Sequence, residues 1–343
     1  MRSRSWFAAS VVSVLFAVSC TPSSTPQPSA APGQDHAPAS TLDPRVQTIA
    51  REELDRAVGE WAPAAAVVVV LDATTGAVLA MEGRDRGRDA PSLAAERAYV
   101  TGSTLKTMTI AAAVDARTID IDAWVDCAPR RYGDAQLSDA TEFGSLPLTD
   151  ALAVSSNVAP SRVLDTLGLE RLLATLRALH IGDPPGTIPP IADASGIEAA
   201  MLAAGEWAKA TPLQVAAAYA TLLNGGVYME PTFTKRAQQG VRVFREETAR
   251  AMRGMLEDVM ESNLGTGRLA RIEDVRVAGK TGTADLEDGR SYASFVGTIV
   301  GWKPPFVVLV GLEAPRDGDG GTGTGPSAAA PVFARIARRL VGM

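Results

Sequence analysis

Apolar positions fall into three regimes along the 343 residues. Val46, Ile49, Ala50, Leu54, Ala57 and Trp61 recur at helical spacing behind Asp43-Pro44, a cap residue followed by proline at the first helical position. This spacing predicts a helix with one covered face. The run from Ala66 to Leu71 is continuous rather than alternating. With the turn Asp72-Ala73-Thr74-Thr75-Gly76 and the apolar 77–81 stretch, it predicts a hairpin whose first strand is buried on both faces. The polar 84–89 segment reads as a loop, and an apolar helix then runs to about Ala116 with Ser103 at its N-terminus.

The middle of the chain has helical periodicity. Helices are predicted from Leu148 to about Ile181, interrupted at Ser155-Ser156-Asn157, followed by a loop rich in Pro, Gly and Ile from Gly182 to Gly196. Thr211-Pro212 caps a helix from Leu213 to Leu223, which Asn224-Gly225-Gly226 stops. Another helix spans Glu246 to about Ser262. The last third turns to strands, at Val275 to Ala284, Ser294 to Trp302 and Phe306 to Leu312, before a closing helix from Pro331 to about Leu340. A hairpin first, helices in the middle and strands last predict an α/β domain of α+β type, with one sheet assembled from both ends.

The first residues follow a different logic. Met1-Arg2-Ser3-Arg4 is a basic start, and Trp6 to Val18 an apolar stretch too short to span a membrane comfortably, so 1–20 reads as an export signal. Ala17-Val18-Ser19-Cys20 resembles a bacterial lipoprotein cleavage box, with alanine where leucine is usual; acylated Cys20 would anchor the protein to a membrane by its end. Residues 21–42, rich in Ser, Pro, Ala, Thr and Gln, read as a disordered tether, and 43–343 as the folded domain. With Cys20 acylated, Cys127 has no intrachain disulfide partner and is expected to be a buried thiol.

Composition narrows the function. A net charge of −6 and 5% aromatic residues argue against a nucleic-acid partner. The two histidines, His36 in the tether and His180 at a helix end, do not favour a Ser–His or Cys–His site. Lysine is scarce, with five among 33 basic residues, and unlike arginine it can act as a base. Lys106 follows Ser103 by three residues, on the same helical face, which pairs a nucleophile with a base. At its ordinary value near ~10.4, fewer than about one lysine in a thousand is neutral at pH 7. Lowering it by about 3 pH units requires roughly 4 kcal/mol of penalty on the charged form, from burial and a nearby cation. Gly279-Lys280-Thr281 is not the end of a phosphate loop, because Asp274 stands where an earlier glycine is required and Gly282 where a helix should begin. The Gly-rich 317–325 run reads as a mobile loop.

Three stretches carry the chemistry: Ser103-Thr104-Leu105-Lys106, Ser155-Ser156-Asn157 and Lys280-Thr281-Gly282-Thr283-Ala284. Each alone is a weak signal, but their order and spacing resemble the penicillin-binding protein and serine β-lactamase superfamily. The wider text, from Gly102-Ser103-Thr104 through Ala210-Thr211-Pro212-Leu213-Gln214 to Gly279-Lys280-Thr281-Gly282-Thr283-Ala284, resembles class B penicillin-binding protein transpeptidases from about Ala65 to the C-terminus. The resemblance implies a mainly antiparallel sheet flanked by helices, with an all-helical subdomain. It implies a serine acyl transferase that needs no cofactor or metal, acting on D-Ala-D-Ala peptidoglycan stem peptides and acylated by β-lactams. Ser103 would be the nucleophile, Lys106 its base, Ser155 a proton bridge to Lys280 as the cation, and Asn157 the holder of the donor amide. Thr281 and Thr283 would bind the terminal carboxylate, Gly282 would let substrate backbone approach, and the Ser103 and Thr283 N–H groups would form the oxyanion hole.

The resemblance has gaps. The pedestal domain usual in class B proteins is expected to be absent, since fewer than sixty folded residues precede Ser103. The 182–196 loop carries no glutamate, which argues against a class A β-lactamase. A serine β-lactamase, a D,D-carboxypeptidase and a β-lactam or muropeptide sensor are the alternative readings. The expected location is the periplasmic face of the cell envelope, within a cell-wall synthesis complex.

Overall fold

The computed structural model describes residues 39–184 and 187–342. Cys20, the 1–20 leader and most of the 21–42 tether lie outside them. The sheet expected from both ends of the chain is present, in the strand order Val277–Asp285, Ser291–Ile299, Phe306–Glu313, Ala65–Asp72, Val78–Asp85, Arg88–Asp89, with every neighbouring pair antiparallel. Ala65–Asp72 sits in the middle because its unbroken apolar run can be buried on both sides. The helices Pro44–Trp61 and Ala330–Val341 pack against one face, and Pro212–Leu223 and Glu246–Glu261 against the other. Glu53 joins the terminal helices, accepting from Arg335 at 2.8 Å and Arg339 at 3.0 Å.

The predicted caps explain where helices begin. Asp43 accepts from the N–H groups of Arg45 and Val46, and Thr211 forms a reciprocal capping box with Gln214. The helical subdomain surrounds Lys106–Asp115, a helix whose first eight residues are all buried; it packs against Val158–Leu167, Leu169–Ala178 and Ile197–Ala204. An element buried all round has no polar face to display, so its sequence carries only a weak helical stripe.

Two expectations change, and one segment without a prior reading proves structured. The 84–89 segment is not a loop: Arg86 and Gly87 both have positive φ and close a two-residue turn, so their neighbours pair as Arg84↔Asp89 and Asp85↔Arg88. The tether ends sooner than residue 42, since Thr41 is buried and its Oγ1 donates to the carbonyls of Val78 and Thr232. Finally, 124–147 holds two small antiparallel pairs, Trp124–Asp126 with Ser145–Pro147 and Arg130–Tyr132 with Ala135–Leu137, whose mixed polar text has no strand periodicity. Cys127 is buried and free, as expected.

Arg84, 7% exposed, reaches Asp55 at 2.6 Å and Asp89 at 3.1 Å beside the buried Glu82. Arg84→Met should destabilise the domain by roughly 2 kcal/mol in urea unfolding, less than a fully buried pair because Asp55 and Asp89 face solvent. An unchanged midpoint would show that the cluster contributes nothing.

Candidate active site

The three motifs come together in a cleft of about 480 Å³ between the free edge of the sheet and the helical subdomain. Ser103 lies in a 3₁₀ turn, Gly102–Thr104, that leads into the Lys106–Asp115 helix. The turn is pinned from several sides. Gly102 N donates to Gly205 O at 3.0 Å, Thr101 N to Ala208 O at 2.9 Å, and Tyr219 OH to Thr104 O at 2.8 Å.

Lys106, 1% exposed, does not point its hydrogen bonds at the serine three residues before it. Its Nζ donates to Asn157 Oδ1 at 2.6 Å, Ser155 O at 2.7 Å and Ser155 Oγ at 3.4 Å. Among the described residues no hydrogen bond joins it to Ser103 Oγ, which lines the cleft together with the Ser155 and Asn157 that hold Lys106. Lys280, fully buried on the edge strand, donates to Ser155 Oγ at 2.8 Å and to Thr281 O at 3.0 Å. Ser155 thus bridges the two lysines. It has φ +62, a conformation few non-glycine residues adopt, in the break between the helices Leu148–Ala153 and Val158–Leu167.

Burial lowers both lysines. Lys106 falls to about 8, with the Glu206 and Asp139 carboxylates opposing the fall. Lys280 falls well below its ordinary value, from burial first and then from the charge of Lys106. The two shortest bonds of Lys106 go to oxygens that can only accept.

The sequence reading missed several lining residues. Asp139 Oδ1 accepts from the N–H groups of Asn157 and Val158, and its Oδ2 from Ser156 Oγ at 2.6 Å, so it caps the helix that follows the break. Nothing in the text around it marks this role. Thr266 Oγ1 lies 2.7 Å from Thr281 Oγ1; its flanking glycines were the only signal. Glu206 lines the cleft from the segment that pins Gly102. Gly282 also meets a demand inside the fold: a Cβ there would lie 2.5 Å from Ser294 Oγ and 2.9 Å from Thr104 Cγ2, so the position must stay bare for the serine turn to pack on it. His180, after the helix Leu169–Ala178, stacks on Tyr228 and is not among the lining residues. A larger cavity of about 640 Å³, between 130–133 and 192–198, holds none of the three motifs.

Residues 66–338 match the family model described as penicillin binding protein transpeptidase domain. The chain is 31% identical over 302 residues to the probable peptidoglycan D,D-transpeptidase PenA of Neisseria meningitidis, a match covering 80% of this chain and 52% of that protein. It spans about half the length of the curated relatives it matches. Among solved structures, the apo transpeptidase domain of Burkholderia pseudomallei penicillin-binding protein 3 superposes with a TM-score of 0.77 at 27% identity, covering 91% of this chain and 97% of that one. Penicillin-binding protein 3 of Mycobacterium tuberculosis, solved with aztreonam, gives 0.78 at 27% identity, covering 89% and 78%. With Ser103 and the bridging hydroxyl lining one cleft and the paired lysines buried behind it, the chain belongs to the penicillin-binding protein transpeptidase domain family.

Proposed function

We propose that the protein is a serine D,D-transpeptidase that acts on D-Ala-D-Ala stem peptides and is acylated by β-lactams. The observation that carries this reading is Ser155 Oγ, held 2.8 Å from Lys280 and 3.4 Å from Lys106 beside Ser103. A single hydroxyl in contact with both amines can pass a proton between them. In the resting site the lysine pair shares one proton. A substrate carboxylate arriving at Thr281 and Thr283 raises the proton affinity of Lys280, and the proton moves across Ser155. Lys106, now neutral, takes the proton of Ser103 as its Oγ attacks the scissile carbonyl. The N–H groups of Ser103 and Thr283 serve the oxyanion, and Asn157 the donor amide. D-Ala leaves as an amine, protonated through Ser155, and the amine of a second stem completes the transfer.

The relatives and the residue pattern support a cell-envelope location. Cys20, outside the described residues, supplies the lipid anchor in this reading, and among those residues no helix is long and apolar enough to cross a membrane. The partners are then stem peptides, β-lactams, a membrane surface and a cell-wall synthesis complex.

Fluorescent penicillin should label the protein covalently and Ser103→Ala should abolish the label; a surviving label would remove the nucleophile assignment. Lys106→Arg keeps the charge but cannot give it up, so acylation should drop by about 100-fold or more, and near-normal acylation by this variant would refute the base. Mass spectrometry should find an acyl-enzyme that persists for minutes to hours, whereas rapid turnover would indicate a β-lactamase. Productive acylation needs one proton on the lysine pair, to hold the carboxylate while leaving a base. As pH rises through about 8 that proton is lost, so the second-order acylation constant should decline above this value. A constant that keeps rising through pH 8 would contradict the one-proton pair.

A further inference from the structure

Beyond the field it exerts on Lys106, Glu206 takes no part in the chemistry just described, yet it lines the same cleft as Ser103, Asn157 and Thr283. Its position is fixed by backbone. The preceding residue, Gly205, has φ +94 and takes the Gly102 N–H on its carbonyl; a Cβ on Gly205 would lie 1.9 Å from Gly102 O. Gly102 in turn rests on the edge strand, where its own Cβ would come 3.0 Å from Thr283 O and 3.1 Å from Ala284 Cβ. Glu206 therefore follows a stack that rests on the Thr283–Ala284 part of the strand, and its carboxyl feels the charges of both Lys106 and Asp285.

That placement has a direction. A peptide lying along the free edge strand puts its terminal carboxylate at Thr281 and Thr283 and its scissile carbonyl at Ser103. The residues upstream of the scissile bond then run towards Asp285, past Glu206. The only other carboxylate among the described lining residues is Asp139, which three donors already engage. No side-chain hydrogen bond holds the Glu206 carboxylate among the described residues, and the hydrogen bonds of Lys106 go to Ser155 and Asn157 instead.

We infer that Glu206 is a specificity-determining residue for the acyl portion of the substrate, selecting a donor with a cationic, ammonium-bearing side chain upstream of the scissile bond. The inference rests on the transpeptidase reading and deepens it. A cation arriving at Glu206 offsets the desolvation of a carboxylate that burial already disfavours; burial raises this carboxyl, Lys106 opposes the rise and Asp285 adds to it. A simpler role, in which Glu206 only tunes Lys106, would change acylation by every donor alike. Discrimination between donors separates the two roles.

Three penicillins differ only at the carbon next to the side-chain carbonyl: ampicillin carries an ammonium there, benzylpenicillin hydrogen and carbenicillin a carboxylate. Their second-order acylation constants, measured with the full chain, should fall in that order for the wild type. In Glu206→Gln the ratio of ampicillin to carbenicillin should shrink by about tenfold, as for the loss of one partly desolvated charge contact. Glu206→Lys should reverse the order. Because each ratio is taken within one protein, a general slowing of acylation cancels. A ratio unchanged in Glu206→Gln overturns the inference, and so does a wild type that reacts equally with all three, which covers the case of a variant that does not fold. A wild type that none of the three acylates refutes the transpeptidase reading itself.

Discussion

Two lysine amines buried around one hydroxyl form the constraint on which the rest of this structure depends. Moving Lys106 from its ordinary 10.5 to about 8 corresponds to a penalty on the order of 3 kcal/mol against its charged form. Burial and the charge of Lys106 lower Lys280 as well. Such a pair persists only where water is excluded from both sides, and each lysine comes from a different half of the molecule. Lys280 belongs to the sheet edge, Lys106 to the most deeply buried helix of the helical half. The site therefore does not exist in either half alone; it forms where the two close on each other, and the large apolar core on both sides of the sheet offsets its cost.

The bridging hydroxyl brings a second cost. Ser155 must leave helical geometry to face both amines, and it does so at φ +62. The neighbouring segment compensates. Asp139 satisfies the N–H groups of Asn157 and Val158 that the break would leave open, and Ser156 Oγ, held by Asp139, also accepts from the Ala159 N–H. Interruption of the helix, the capping carboxylate and the amide of Asn157 on Lys106 thus act as one device, which turns a break in regular structure into a fixed hydroxyl contact between two amines.

Elements governed by local rules were legible in the sequence. The Asp43 and Thr211 caps, the continuous apolar run of the central strand and the halt at Asn224-Gly225-Gly226 all act within a few residues, so text and structure agree to within about two positions. The three motifs were legible because a family resemblance fixes their order. Residues whose role depends on distant partners were not. Asp139 and Glu206 look like ordinary surface acids until residues 139 and 157, or 102 and 205, are brought together. The Ile197–Ala204 helix was missed for a related reason: it is almost wholly apolar and buried, so it shows no amphipathic period.

The placement of the nucleophile is set by backbone rather than by side chains. Gly205 lies against Gly102, Gly102 against Thr283 and Ala284, and Gly282 against Thr104, while a Cβ at Gly325 would come 2.3 Å from Gly282 O. These approaches clamp the Ser103 turn between the edge strand on one side and the 205–208 segment on the other. At Gly205, Gly102 and Gly325 rotation of a side chain cannot relieve a misfit, because the nearest atom in each case is a main-chain carbonyl oxygen. The distance from Ser103 to the lysine pair is thereby tied to the thickness of a stack of bare backbone. The same stack carries Glu206 to the upstream wall of the cleft, so the geometry that positions the nucleophile also decides which charge a substrate meets beside it.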